Sequence, residues 1–253
     1  MKWLEHQRIR HTLRHHPIPL EHWEAVIKGG DLFHRLSSVE RAHLRELATL
    51  FIRRKSFSAV QGFELTTEKV VMIAAQACLP ILKLGLDYYD DWVEVVIYPG
   101  GFRVTREQRQ ESGVVDQEVQ ALSGEAWLQG PVILAWDEIE ADLARPRSGR
   151  NVVIHELAHK IDMLNGDANG SPPLHADMSQ QRWSRAFSHA FDDLIHALET
   201  GHHPAINSYA ATDPAEFFAV VSEYFFCDPK TLQRHYPAVY EQLAVFYRQN
   251  PMA

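Results

Sequence analysis

The sequence predicts an α+β protein, mainly helical with a few strands, on three observations. Apolar residues recur at helical spacing through most of the first eighty positions. The pattern then switches to short runs rich in Val, Ile, Tyr and Trp, and helical spacing returns after residue 150. With 253 residues, 45% of them apolar and 10% aromatic, the chain is long enough to bury a sizeable core. The expected organisation is a single domain over 1–253, with 1–90 as a helical N-terminal portion and 91–253 as the working core.

The elements are predicted in chain order. Helical spacing runs from Pro19 to Ile27 and again from Ser37 to Ile52, as in Val39, Ala42, Leu44, Leu47, Leu50 and Phe51, and Ser37 or Ser38 provides the cap. Thr66 and Thr67 open a third helix, with Glu68 in its first turn and Pro80 and Gly85 near its end. WVEVVIYP, then GFRV after a Gly-Gly pair, then VILAW after Gly130 and Pro131, read as strands. The Arg-Pro-Arg-Ser-Gly stretch at 145–149 punctuates the chain before another helix, which Ser148 or Asn151 caps and Gly166 stops. An amphipathic helix follows from Ser179 to Leu198. The last predicted helix, AEFFAVVSEYFF, is capped by Asp213 and started by Pro214.

Composition excludes several classes. The longest apolar stretch, VVMIAAQACLPIL, is too short to span a bilayer and is interrupted by Gln76 and Pro80. The N-terminal stretch lacks the apolar core of a secretory signal, so a cytoplasmic protein is expected. Cys78 and Cys227 read as buried thiols rather than a disulfide framework. The net charge of −8 is uneven: residues 1–55 hold 11 Lys+Arg against 6 Asp+Glu, a surplus of +5 that leaves −13 for the remainder. A solvated, basic, His-rich helical arm is expected, and the acidic remainder argues against nucleic-acid binding.

The chemistry concentrates in VVIHELAHKID, residues 152–162. On a helix, His155 and His159 lie four apart on one face, where two imidazoles reach one tetrahedral ion. Glu156 then sits beside the ion without binding it, the place of a base working on an activated water. A catalytic zinc needs a third protein ligand and an open position. The extended motif with Gly at 162 and His at 165 is excluded, because the chain has Asp162 and Asn165. Downstream candidates are Glu199, Glu216, Glu223 and the histidines at 175, 189, 196, 202, 203 and 235. Glu216 is preferred, since a carboxylate at the head of a nearly all-apolar helix needs a compensating partner. The alternative for Glu216 is helix-start chemistry alongside Asp213. Glu223, two turns further on, reads equally as a group behind a ligand or as a surface residue.

HELAHKIDMLNG followed by SYAATDPAEFFAVVSEYFF resembles the Mlc titration factor A family of bacterial zinc metallopeptidases, and both blocks are also similar to the catalytic domain of anthrax lethal factor. The resemblance implies a zincin-like fold with a small sheet beside the HExxH helix and one Zn²⁺ held by His155, His159 and Glu216. It also implies Glu156 as the catalytic carboxylate and Tyr209 as a phenol assisting the reaction. Asp162 matches as an acid one turn beyond the second histidine, where it either orients an imidazole or faces solvent.

The activity so implied is a gluzincin-type peptidase acting on short peptides or as an aminopeptidase: zinc activates a water, Glu156 carries its proton, and Tyr209 donates to the developing oxyanion. In such folds a peptide adds to a sheet edge, for which VILAW is the candidate. The resemblance also implies a protein partner, the glucose-responsive repressor Mlc, and through it transcription regulation; the basic arm is one candidate surface. A non-catalytic, repressor-sequestering protein with a vestigial or structural zinc site is the competing reading.

Overall fold

The computed structural model describes residues 2–100, 103–109, 115–121 and 130–252. Ten α-helices and five strands are found among the described residues, with helix dominating. The N-terminal part carries α1 (Lys2–His15), α2 (Leu20–Gly29), α3 (Ser38–Arg54), β1 (Ser56–Ala59) and α4 (Thr67–Cys78). Then come β2 (Glu94–Tyr98), β3 (Arg103–Arg109), β4 (Val115–Ala121), β5 (Val132–Ala135) and α5 (Trp136–Ala144). The C-terminal part holds α6 (Val152–Asp162), α7 (Gln180–Glu199), α8 (Pro214–Cys227), α9 (Pro229–His235) and α10 (Pro237–Tyr247).

The predicted caps do their work. Ser37 forms a capping box with Glu40, Thr66 accepts from the Lys69 N–H, and Asn151 rather than Ser148 accepts from Ile154 N–H. Asp213 caps α8 with Pro214 in its first turn. Chain direction changes after α6 through a short 3₁₀ turn, Met163–Asn165, and Gly166 at φ +139° ends it.

β1, β2 and β5 form a parallel sheet in that order, with Val95 opposite Val132 and Ile97 opposite Leu134. β3 and β4 pair antiparallel. Three readings needed adjustment. VILAW is a strand only to Ala135, because Trp136 begins α5. GFRV becomes a strand from Arg103, while 101 and 102 lie outside the described residues. Cys227 is only partly buried, unlike Cys78; both thiols are free.

Two helices are buried almost all round. Ten of eleven α6 residues are buried, from Val153 to Asp162, and α8 is buried at Ala215 and continuously from Phe217 to Phe226. A helix surrounded on every side is central by construction. α6 packs mainly against α8, and also against α4, α5 and β5. The aromatic side chains of α8 join Trp183, Phe187 and Phe246 in one cluster, with Trp183 and Phe187 stacked at 4.1 Å.

Two glycines let loops close onto α8. Gly149, at φ +73°, lies against Tyr224, so that an added Cβ would stand 2.3 Å from the ring. Gly170, at φ +76°, meets the Pro214 carbonyl, where a Cβ would also be 2.3 Å away. Both positions require glycine for backbone and for space.

Candidate metal centre

Burying ten consecutive residues of α6 places five titratable side chains inside the protein: His155, Glu156, His159, Lys160 and Asp162. Each needs a partner or a role. α8 runs beside α6 and supplies Glu216 from its first turn and Glu223 from its middle. Seven residues separate these glutamates, so they share one face of α8, and that face meets the imidazoles.

The ligand-type atoms converge. His155 Nε2 lies 3.2 Å from His159 Nε2, and Glu216 Oε2 lies 3.0 Å from the first and 3.5 Å from the second. A four-coordinate ion with bonds of about 2.0–2.1 Å sets its ligand atoms about 3.3 Å apart, so these separations are the edges of a coordination tetrahedron. Glu216 Oε2 is buried, and the groups it faces are the two imidazole nitrogens. His155, His159 and Glu216 form a three-member group able to hold a metal ion, and among the described residues it has no fourth protein member.

Glu223 settles the state of His155. Its Oε1 lies 2.8 Å from His155 Nδ1, and a carboxylate in that position accepts the proton of Nδ1–H. The Nε2 lone pair is then left pointing at the convergence point. The other oxygen, Oε2, accepts the Asn151 N–H at 2.5 Å, and Asn151 Nδ2 donates to Gln76 Oε1 at 2.6 Å. A buried chain of hydrogen bonds therefore runs from α4 through the start of α6 to the imidazole. The Val152 N–H is taken by Asp142 of α5 at 2.8 Å.

Electrostatics favour a dication at this point. Burial alone would lower the His155 pKa, but the carboxylates of Glu216 and Glu223 overturn that and raise it well above the ordinary value. Burial works to raise Glu216, yet the two imidazoles outweigh it and hold the carboxyl at about 2. Three carboxylates, the buried Glu156 and Glu223 and the partly buried Glu216, thus surround two imidazoles. Such an acidic enclosure is matched in charge by a divalent cation.

Glu156 is buried, and desolvation raises its pKa despite the neighbouring histidines. Tyr209 sits in the 3₁₀ turn Ser208–Ala211, held by the Asn207 side chain on its own N–H. Its ring centroid is 6.1 Å from that of His155, and at 38% exposure it occupies the open side of the site rather than the core. The structure thus brings Glu156 and Tyr209 to the same group of ligands.

Asp162 has a different job from orienting an imidazole or facing solvent. It is fully buried, and its Oδ2 accepts the N–H groups of Asn169 at 2.8 Å and Gly170 at 2.7 Å, while Oδ1 accepts no hydrogen bond. The loop so held presses Gly170 on Pro214, at the start of the helix that carries Glu216. Sequence reading left Glu223 undecided, and it missed Asn151 as a link and Gln76 altogether. Glu223 and His155 stand 68 positions apart, a pairing no local pattern announces.

A mostly helical protein with a small parallel sheet and a His-His-Glu group on paired buried helices belongs to the class of candidate metallopeptidases. The chain matches the family described as glucose-regulated metallo-peptidase M90 over residues 2–248, and it belongs to that family. It is 40% identical to Mlc titration factor A of Klebsiella pneumoniae over 233 residues, covering 91% of this chain and 87% of that protein. The Cronobacter sakazakii protein of the same name is 38% identical over 247 residues, 97% of this chain and 91% of the other. That of Salmonella enteritidis is 41% identical over 218 residues, 85% and 82% respectively.

Proposed function

We propose that this chain is a zinc-dependent peptidase of the gluzincin kind, a single zincin-like domain in which His155, His159 and Glu216 hold the ion. The observation that carries the reading is the set of three ligand-atom separations near the edge of a tetrahedron, with no fourth protein ligand among the described residues. A structural zinc site closes all four positions, whereas a catalytic one keeps one open. Zinc bound there would acidify a water and polarise a peptide carbonyl.

The chain's own groups supply the rest. Glu156, with its pKa raised by burial, takes the proton of the attacking water and returns it to the leaving amine. Tyr209, on the open side, donates its phenolic O–H to the oxygen on which charge develops. Glu223 holds His155 in the tautomer that presents Nε2. β5 lies beside α6 and, among the described residues, pairs only with β2, so its outer edge is the natural place for an added peptide strand. Short peptides or aminopeptidase substrates fit this reading.

A second role is favoured by the name that the relatives carry: this chain binds the Mlc repressor and relieves its repression. It acts in the cytoplasm and needs no direct contact with nucleic acid; no helix among the described residues is long and apolar enough to cross a membrane. Sequestration alone, with a vestigial metal site, is the competing account. Glu156→Ala separates the roles, since it should abolish hydrolysis and leave repressor binding intact. The direct test is metal content together with hydrolysis of aminoacyl and blocked-peptide chromogenic substrates, for the protein and for Glu216→Gln. About one zinc per chain, lost with activity in the variant, supports the reading; a folded protein that neither takes zinc nor hydrolyses any substrate sinks it.

A further inference from the structure

We propose that a cavity behind the N-terminal end of α6 binds a small phosphate-bearing molecule, and that its occupancy is felt at the metal centre through Asn151 and Glu223. The cavity, about 200 Å³, lies between the 30–35 segment after α2, the end of α4, the α5–α6 turn and the end of α8. Four arginines line it, Arg35, Arg145, Arg147 and Arg150, in a chain whose net charge is −8. Only two carboxylates, Asp31 and Asp142, stand among its lining residues. The local balance is positive where the protein as a whole is negative.

The arginines are loosely engaged. Arg147 pairs with Asp31 at 3.4 Å, Arg150 with Asp142 at 3.9 Å, and Arg35 donates to the Pro251 carbonyl at 3.2 Å. Each guanidinium carries five N–H donors, so most of that capacity is open to an anion, and the planar fork suits phosphate oxygens.

The second observation is Gln76, which lines the cavity at 2% exposure. Its Oε1 is taken by Asn151, but its Nε2 has no acceptor. A buried amide donor without a partner is rare, and an oxygen of a bound molecule would satisfy it. The N–H groups of Asn151, Val152 and Ile154 at the start of α6 are not the attraction, because Glu223, Asp142 and the Asn151 side chain already accept them. Recognition would fall instead to the arginines for a phosphate, and to Gln76 and Asp142 for a hydroxyl-bearing body.

The route inward is short. Gln76 holds the Asn151 side chain, the Asn151 N–H binds Glu223 Oε2, and Glu223 Oε1 binds His155 Nδ1. A ligand that pulls on Gln76 biases that chain, and coupling of this sort is reciprocal between the two sites. The coupling rests on the metal-site reading given above; the cavity's own ligand does not.

The test is calorimetric titration of the full-length protein, zinc-loaded and metal-free, with glycerol 3-phosphate and with inorganic phosphate. Saturable one-to-one binding, weakened at least tenfold in Arg145→Ala/Arg147→Ala, is expected; both side chains are on the surface, so the variant keeps its core. Arg182→Ala/Arg185→Ala on α7 serves as the control for general charge loss and should bind normally. Absence of binding at millimolar probe, binding indifferent to the cavity arginines, or equal weakening in the control overturns the site. The zinc-loaded and metal-free proteins should differ at least threefold in affinity. Equal affinities overturn the coupling while leaving the site.

Discussion

α6 and α8 are both buried on nearly every side, yet they spend that burial differently. α6 puts two imidazoles, two carboxylates and Lys160 inside, each fastened by a hydrogen bond or a charge. α8 buries Phe217, Phe218, Phe225 and Phe226 and gives only two glutamates to its neighbour. Polar burial gains little stability, because desolvation consumes most of what pairing returns. Aromatic burial gains much. The comparison teaches that one helix carries chemistry while its partner carries the stability that holds the chemistry in place.

Substitutions can break or sharpen that division. The largest effect is expected from Glu156→Gln: hydrolysis should fall by roughly 10²–10⁴-fold with metal content unchanged, and an active variant would remove Glu156 from the base role. Phe218→Ala, on the other helix, should cost about 3–5 kcal/mol in urea unfolding; a loss under about 1 kcal/mol would show that α8 is not the stabilising partner. Glu223→Gln crosses the division, since it sits on α8 but acts on His155. Zinc affinity measured by competition with a chelator should drop about 10–100-fold, with little change in the unfolding midpoint of the metal-free protein.

Gly170→Ala is the next smaller case. Its positive φ and the Pro214 carbonyl should together cost on the order of 1–3 kcal/mol and loosen zinc through the displaced start of α8; unaltered stability and affinity would mean the loop yields freely.

The smallest expected effect concerns Asp142, whose carboxyl is raised by burial from 3.8 to about 6. A raised carboxyl binds its proton more tightly in the folded state, so the folded chain holds more protons between about pH 4 and 6. Stability should therefore decline as pH rises through that window. Asp142→Asn should flatten the decline, and an identical pH profile in the variant would assign it to other groups.

Much of the site was legible because its signals are local. His155, Glu156 and His159 advertise themselves by spacing, and Asn151 and the Asp213-Pro214 pair by cap chemistry. Glu216 was legible for a subtler reason, as the charged residue opening an otherwise apolar helix. Long-range partners were not legible: Gln76 meets Asn151 across 75 positions, and Asp162 turned out to hold a loop. β1 is four residues with no fully buried position among Ser56, Phe57, Ser58 and Ala59, so it shows no apolar alternation to read. α1 was legible only as part of a solvated, basic helical arm and its bounds were not, since no described side chain in it is fully buried. α5 and α9 are short, at nine and seven residues, and α9 and α10 carry a proline start that was not read, although Asp228-Pro229 repeats the Asp213-Pro214 signature of α8.

The spacing of the candidate ligands along the chain has one further consequence. His159 and Glu216 stand 57 positions apart on two helices, so an ion joining them would tie α6 to α8 in the folded chain and be released when the chain unfolds. Its binding free energy would then count directly as folding free energy, growing with the ratio of free metal to dissociation constant. The metal would then be a staple in a protein whose cysteines form none, and stripping it with a chelator should lower the unfolding midpoint even where the peptide chemistry is already silent.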